Sequence, residues 1–275
     1  MNRSRHTKGG RMTGMLKLYI QLARASIRSR MQYKFNFVLS SLLTSFITVA
    51  EFLTIAVVLL RFQTIQDWNI YEIGYLFSVL NLSRYLYRVL AADINGFEKY
   101  MVQGLFDQSL LRPVPVLLVL MTRNFRPMAG ELAQGLTVFT VCIWHLIASG
   151  QTTWLAIPLT ALTIISGTAI VFAVGLATAT CGFWIQRIED LQVLTDNAPT
   201  LACQFPLSIF PQWIRTPLLI VVPYGFVAYV PSLYILRGAY GPWALAGSFA
   251  AAVCFLALAL RLWKFGIAHY QSTGS

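Results

Sequence analysis

The sequence predicts an all-α integral membrane protein with six transmembrane helices. Of its 275 residues, 57% are hydrophobic and only 11% are charged, whereas a soluble globule carries about 25% charged residues. Its mean hydropathy is +0.63. Several apolar runs exceed the roughly 17–25 residues that a helix needs to cross a bilayer. Runs of alternating polarity are missing, so helices rather than a barrel are implied.

Taken in order, residues 1–14 are rich in Arg, Ser, Thr and Gly and predict a flexible basic N-terminus. From 15 to 34 the pattern changes. Lys17, Gln21, Arg24 and Arg28 recur at helical spacing while Leu16, Ile20, Ala23 and Ile27 fall to the other side, which predicts a helix lying in the membrane interface. Spans are then expected at about Phe35–Leu60, Glu72–Ala91, Met128–Ala148 and Leu155–Phe183, with a shorter fifth from Thr195 to Phe210 and a last from Trp243 to Trp263. They make a membrane domain over 35–265, and 266–275 is a tail. Before the last span, PLLIVVPYGFVAYVPSLYIL is long enough to cross, but Pro217, Pro223 and Pro231 interrupt it, and each interior proline removes a helix hydrogen bond. A broken, re-entrant segment is expected, of the kind tolerated at membrane depth only where protein or a polar cavity satisfies its backbone.

Orientation follows from Lys and Arg. With the N-terminus inside, eighteen of the twenty-one bases lie on cytoplasmic ends and loops, and only Arg61, Arg215 and Arg237 lie outside. Both termini are therefore expected in the cytoplasm. The net charge of +11 is concentrated in the N-terminal thirty-four residues, which hold nine bases and no acid. This reads as an orientation signal and attraction to anionic lipid headgroups, and no nucleic-acid motif accompanies it. The first apolar run starts too late and is too long for a cleaved signal peptide.

Catalytic and metal chemistry find no support. Cys142, Cys181, Cys203 and Cys254 fall in or beside apolar spans without CxxC spacing, and His6, His145 and His269 are scattered. There is no Ser, His and acid arrangement and no HExxH pattern. A GxxxxGK[ST] phosphate loop is also missing, so uphill transport would need an ion gradient or a separate ATPase.

The stretch GFEKYMVQGLFDQSLLRP, Gly96 to Pro113, favours the ATPase. It is too polar for lipid and too apolar for an idle loop. As one helix, Gly96 to Leu110 would align Lys99, Gln103 and Asp107 in a stripe, with Phe97, Met101, Val102, Leu105 and Phe106 on the remaining arc. Leu111 and Arg112 then precede Pro113, which ends the helix. A half-apolar cytoplasmic helix of this kind can press into a groove on a soluble partner.

Three features together resemble the six-span permease subunits of ABC-2-type ABC transporters. They are the basic interfacial helix, the loop from Phe97 to Pro113, and the late block QFPLSIFPQWIRTPLLIVVPYGFVAYVPSLYIL, in which Pro206, Pro211, Trp213, Pro223, Tyr229 and Pro231 fall on the family pattern. The resemblance implies an elbow helix at 15–34, a coupling helix at 97–111 that meets the ATPase through Phe97, Met101, Leu105, Phe106, Asp107, Leu111 and Arg112, and an outer re-entrant element at 206–236. It further implies two ATPase subunits that carry ATP and Mg, a second permease subunit, identical or related, and residence in a prokaryotic cytoplasmic membrane. No cofactor belongs to this chain itself. An exporter of a lipid-like, amphipathic or glycan substrate is expected, and the competing class is an ion-coupled secondary transporter or channel, which would want an internal repeat.

Intramembrane charge gives the last expectations. Glu51 lies sixteen residues into the first span, about 24 Å along a helix, where a carboxylate must be paired, protonated or facing water. Arg84, with Asn81 and Arg88 nearby, is its candidate partner, although the levels match poorly. A structural ion pair, a snorkelling Arg or a lining of the substrate pathway would account for these residues. Glu131, Glu189, Asp190 and Asp196 are expected to be solvated loop charges or contacts to the ATPase. Ala169, Ala173, Ala177 and Cys181, and Ala244, Ser248 and Ala252, form small-residue ridges that suit close helix packing, within the subunit or at a subunit interface.

Overall fold

The computed structural model describes residues 17–28, 35, 38–39, 42–47, 49–50, 53, 57, 67–91, 93–123, 125, 128–185, 187–203 and 205–271. Among them the fold is helical, with no β-strand. Helix α1 covers 17–28, within the expected interfacial segment, and every described residue from 35 to 57 is helical. Then follow α2 (Ile70–Ala91), α3 (Phe97–Val102), α4 (Leu105–Leu110), α5 (Val116–Arg123), α6 (Ala129–Ala148), α7 (Ala156–Cys181), α8 (Glu189–Cys203), α9 (Gln212–Ile220), α10 (Tyr229–Arg237) and α11 (Trp243–Ala268).

Three of these, α6, α7 and α11, are long and apolar enough to cross a membrane, and the pair formed by α9 and the segment through α10, bent by 77°, has the length and composition of a broken span or a re-entrant loop. The broken element is where the prolines place it. Pro217 lies inside α9 and Pro223 precedes a single 3-10 turn, Tyr224–Phe226. Helix α2 has the length of a span, but Glu72, Asn81, Arg84 and Arg88 leave it more polar than the other three. The fifth expected span is corrected. Its helix, α8, begins at Glu189 and ends at Cys203, and its 15 residues reach about 22 Å, short of a bilayer core of about 30 Å. Two acids in its first turn explain why the apolar pattern had concealed its start.

Local chemistry starts and stops the helices. Asn69 and Glu72 form a reciprocal cap on α2: the Glu72 backbone N–H donates to Asn69 Oδ1 at 2.8 Å and the Asn69 N–H donates to Glu72 Oε2 at 2.9 Å. Gly238, at φ +64°, closes α10 in the left-handed conformation. Helix α7 is apolar all round, and it keeps its buried hydroxyls satisfied by back-bonding. Thr160, Thr168, Thr178 and Thr180 each donate to the carbonyl four residues earlier, which lets them sit in apolar surroundings.

Helix α7 is the axis of the bundle, flanked by α2, α8, α10 and α11. Tyr75 meets Thr160 at 2.5 Å, Thr168 donates to the Ser83 carbonyl at 3.2 Å, and the Tyr87 hydroxyl lies over Gly175, so α2 and α7 run parallel. Helix α6 runs antiparallel to α2, with Tyr71 stacked on His145 at one end and Arg88 paired with Glu131 at the other. The small residues act inside this chain: Ala173, Ala244, Ser248 and Ala252 are buried, and Gly266 of α11 abuts Phe183 and Thr180.

Candidate functional site

One end of the bundle carries the segment 96–113, which is folded as two short helices rather than one. The break falls at Gly104, whose φ of +65° only glycine adopts without strain. The stripe Lys99, Gln103, Asp107 expected of a continuous helix is therefore not formed. Each helix inserts one ring into the permanent core. Phe97 and Phe106 are both 0% exposed, and they meet each other edge to face at 5.5 Å. Phe183 and Trp263 lie 5.2 and 5.3 Å from Phe97, and Tyr270 lies 4.8 Å from Phe106. Such aromatic pairs add about 0.5–1.5 kcal/mol each beyond burial, so the segment is anchored rather than free.

The expected partner-facing set is thereby corrected. Phe97 and Phe106 face inward and have no surface to offer, because a helix this short can bury only one side and its bulkiest rings take it. Met101, Leu105 and Asp107 are partly exposed, whereas Leu111 is 87% exposed and Arg112 is exposed. Val102, at 65%, and Leu110, at 41%, were not among the expected coupling residues and extend the same apolar outer surface.

Polar contacts tie this platform to its neighbours. The Glu98 carboxylate accepts the backbone N–H groups of Ile188 and Glu189 at 2.6 and 2.5 Å. Gln192 Nε2 donates to the Ile94 carbonyl at 2.8 Å. Tyr100 donates to the Asp93 carboxylate, and the Arg123 guanidinium lies 5.2 Å over its ring. Burial, and then the bond to Asp93, push the Tyr100 phenol well above its ordinary range. Helix α1 docks alongside, with Ser26 donating to the Arg123 carbonyl at 3.0 Å and Tyr19 to the Leu90 carbonyl at 3.4 Å.

Charged residues inside the bundle are paired. Arg84 lies 3.8 Å from Asp196 of α8, and Arg88 bonds Glu131 at 2.8 Å. Glu131 is buried and Asp196 is part-buried, so neither is a solvated loop charge. Asn81 does not join Arg84: its amide donates to the Phe77 carbonyl of its own helix at 3.0 Å. Glu51 lies outside the described residues. Cys142 is buried, Cys181 is partly buried and Cys254 is exposed, all as free thiols. No group of His, Cys, Asp and Glu that could hold a metal occurs among the described residues.

At the opposite end, Arg237 bonds both oxygens of Glu72, at 3.1 and 3.2 Å, donates to the Asp67 carbonyl at 2.7 Å and lies 4.2 Å over the Trp68 ring. This lock joins the start of α2 to the end of α10. Sequence reasoning missed the lock, although the pattern Asn69-x-x-Glu72 was a legible signal for its cap. Pro206, Pro223, Tyr229 and Pro231 of the bent element are buried, whereas Pro211 and Trp213 are exposed.

A family model described as ABC-2 family transporter protein matches residues 45–274. The chain belongs to the ABC-2 transporter family. It is a membrane permease of an ABC transporter, the transmembrane subunit rather than the catalytic one. The match takes in the permease from within the first expected span to the tail, including the anchored segment, α8 and the bent pair. None of the curated proteins compared with the chain matches it.

Proposed function

We propose that this permease is driven by separate ATPase subunits that dock on the segment 96–113, and that it exports a lipid-like, amphipathic or glycan substrate. The observation that carries the docking is the two-sided build of that segment. Phe97 and Phe106 fasten it to the permease core, while Val102, Leu110 and Leu111 present apolar surface outward. Exposed apolar side chains on a rigidly anchored platform suit a protein partner. ATP and Mg would bind on that partner, since this chain has no phosphate loop.

In this reading α8, extended by the turn 205–210, crosses together with the first expected span, α2, α6, α7 and α11 to make six, the bent pair is re-entrant, and the end carrying Lys99, Arg112, Arg123 and Arg187 is cytoplasmic. Two permease subunits, identical or related, would flank the pathway and two ATPase subunits would lie beneath them. The scarcity of unpaired charge within the described bundle favours an apolar or amphipathic substrate over a small ion.

The test is co-purification. Leu110→Asp with Leu111→Asp should release the ATPase while the permease remains in the membrane at normal yield. Retained ATPase at wild-type stoichiometry in that variant would refute the docking surface. Phe106→Asp is unsuited to this purpose, because it would place a charge in the aromatic core and unfold the platform itself.

A further inference from the structure

We propose that Glu98 is a positioning residue that makes α8 a lever, transmitting movement of the 96–113 segment to the turn of the bent α9–α10 element. The inference rests on the ATPase-driven reading above and adds to it a specific internal route.

The lower joint is a cap supplied from another part of the chain. The first N–H groups of a helix lack partners, and that end carries partial positive charge. At the start of α8 the residue preceding Glu189 is Ile188, whose carbonyl accepts the Gln192 N–H at 2.8 Å but whose side chain has no acceptor to cap the helix. Glu98, ninety residues earlier, fills the role by accepting both Ile188 N–H and Glu189 N–H through a single carboxylate oxygen. Charge-assisted bonds of this kind are roughly twice as strong as neutral ones. Gln192, one turn on, grips the Ile94 carbonyl just before α3. Helix α8 therefore holds the platform at two points and has to move with it.

The upper joint lies farther along the same helix. The buried Tyr224 hydroxyl, in the turn between α9 and α10, donates to the Thr195 carbonyl at 2.6 Å. The next residue, Asp196, lies 3.8 Å from Arg84 of α2. One rigid helix thus touches the platform at its base and the bent element within two turns, and the Arg84–Asp196 pair lies beside the second joint as a fulcrum. A cap serving only to stabilise α8 would need no second contact to the segment that precedes it and no buried tyrosine clasping its carbonyl.

The test uses the full permease co-expressed with its ATPase and reconstituted in lipid, followed by hydrogen–deuterium exchange with and without ATP and Mg. In the wild type, ATP is expected to change exchange across 212–237. Glu98→Ala should keep the ATPase bound and still hydrolysing ATP, raise exchange at 188–189, and cut the ATP-dependent change at 212–237 about tenfold, the size of one charge-assisted bond. If Glu98→Ala does not assemble, Glu98→Gln, an acceptor without charge, carries the same comparison and should show a smaller response than wild type. An assembled variant with the wild-type response at 212–237 would overturn the lever, as would a wild-type complex in which ATP leaves 212–237 unchanged. A wild-type permease that binds no ATPase would instead sink the reading on which the lever rests, and so the two failures are distinguishable.

Discussion

Removing the Glu72 carboxylate tests how the two halves of the far end are held together. Glu72 is 5% exposed and serves two masters: it caps α2 through the Asn69 N–H and receives Arg237 on both oxygens. Loss of a cap costs about 1 kcal/mol. Loss of the charged bonds costs about 1–2 kcal/mol, less than for a fully buried pair because the Arg237 side chain is 32% exposed and water can partly replace its partner. Together these make roughly 2–3 kcal/mol for Glu72→Ala, which at about 2–4 °C per kcal/mol for a chain of this size lowers the melting temperature by roughly 4–12 °C. Glu72→Gln retains an oxygen for the cap and loses only charge, so it should fall between Ala and wild type. The assay is a thermal melt of the detergent-solubilised permease followed by size exclusion, with Arg237→Ala and the double variant completing a cycle. Strict additivity of Glu72→Ala and Arg237→Ala would refute the reasoning, because groups that bond each other cannot be lost independently.

Two further substitutions probe the close approaches. A Cβ at Gly175 would stand 2.2 Å from the Tyr87 hydroxyl, so Gly175→Ala should destabilise the permease by about 1–3 kcal/mol in the same melt. Tyr87→Phe should restore part of that loss by removing the clashing oxygen. Gly104→Ala forces a side chain into the left-handed conformation at a cost of about 1–2 kcal/mol. That strain should fall on the 96–113 segment alone, read as faster proteolytic cleavage there with the melting of the remaining bundle unchanged.

The three long apolar helices, α6, α7 and α11, end within a few residues of the spans expected from hydropathy, apart from a longer C-terminal end on α11. The bend between α9 and α10 falls at the expected prolines. Less was legible in the candidate site. The amphipathic character of 96–113 was clear, but its apolar side had been assigned to a partner, and nothing in the pattern distinguishes a ring that packs inward from one that waits outside. Glu98 drew no expectation from the sequence, because its role depends on Ile188 and Glu189, ninety residues away.

The division has a physical basis. Hydrophobic run length, proline position and the distribution of Lys and Arg act one residue at a time against lipid and water, so the sequence by itself determined a helical membrane protein, its principal spans and the place where a span must break. Pairing is different, since it depends on which helices become neighbours. The tertiary structure alone decided that Arg84 meets Asp196, that Arg237 meets Glu72, and that Phe97 and Phe106 close on Phe183, Trp263 and Tyr270. A buried charge or ring takes whichever complementary group the packing of α2, α7, α8 and α11 brings within reach, and that selection is made across the bundle rather than along the chain.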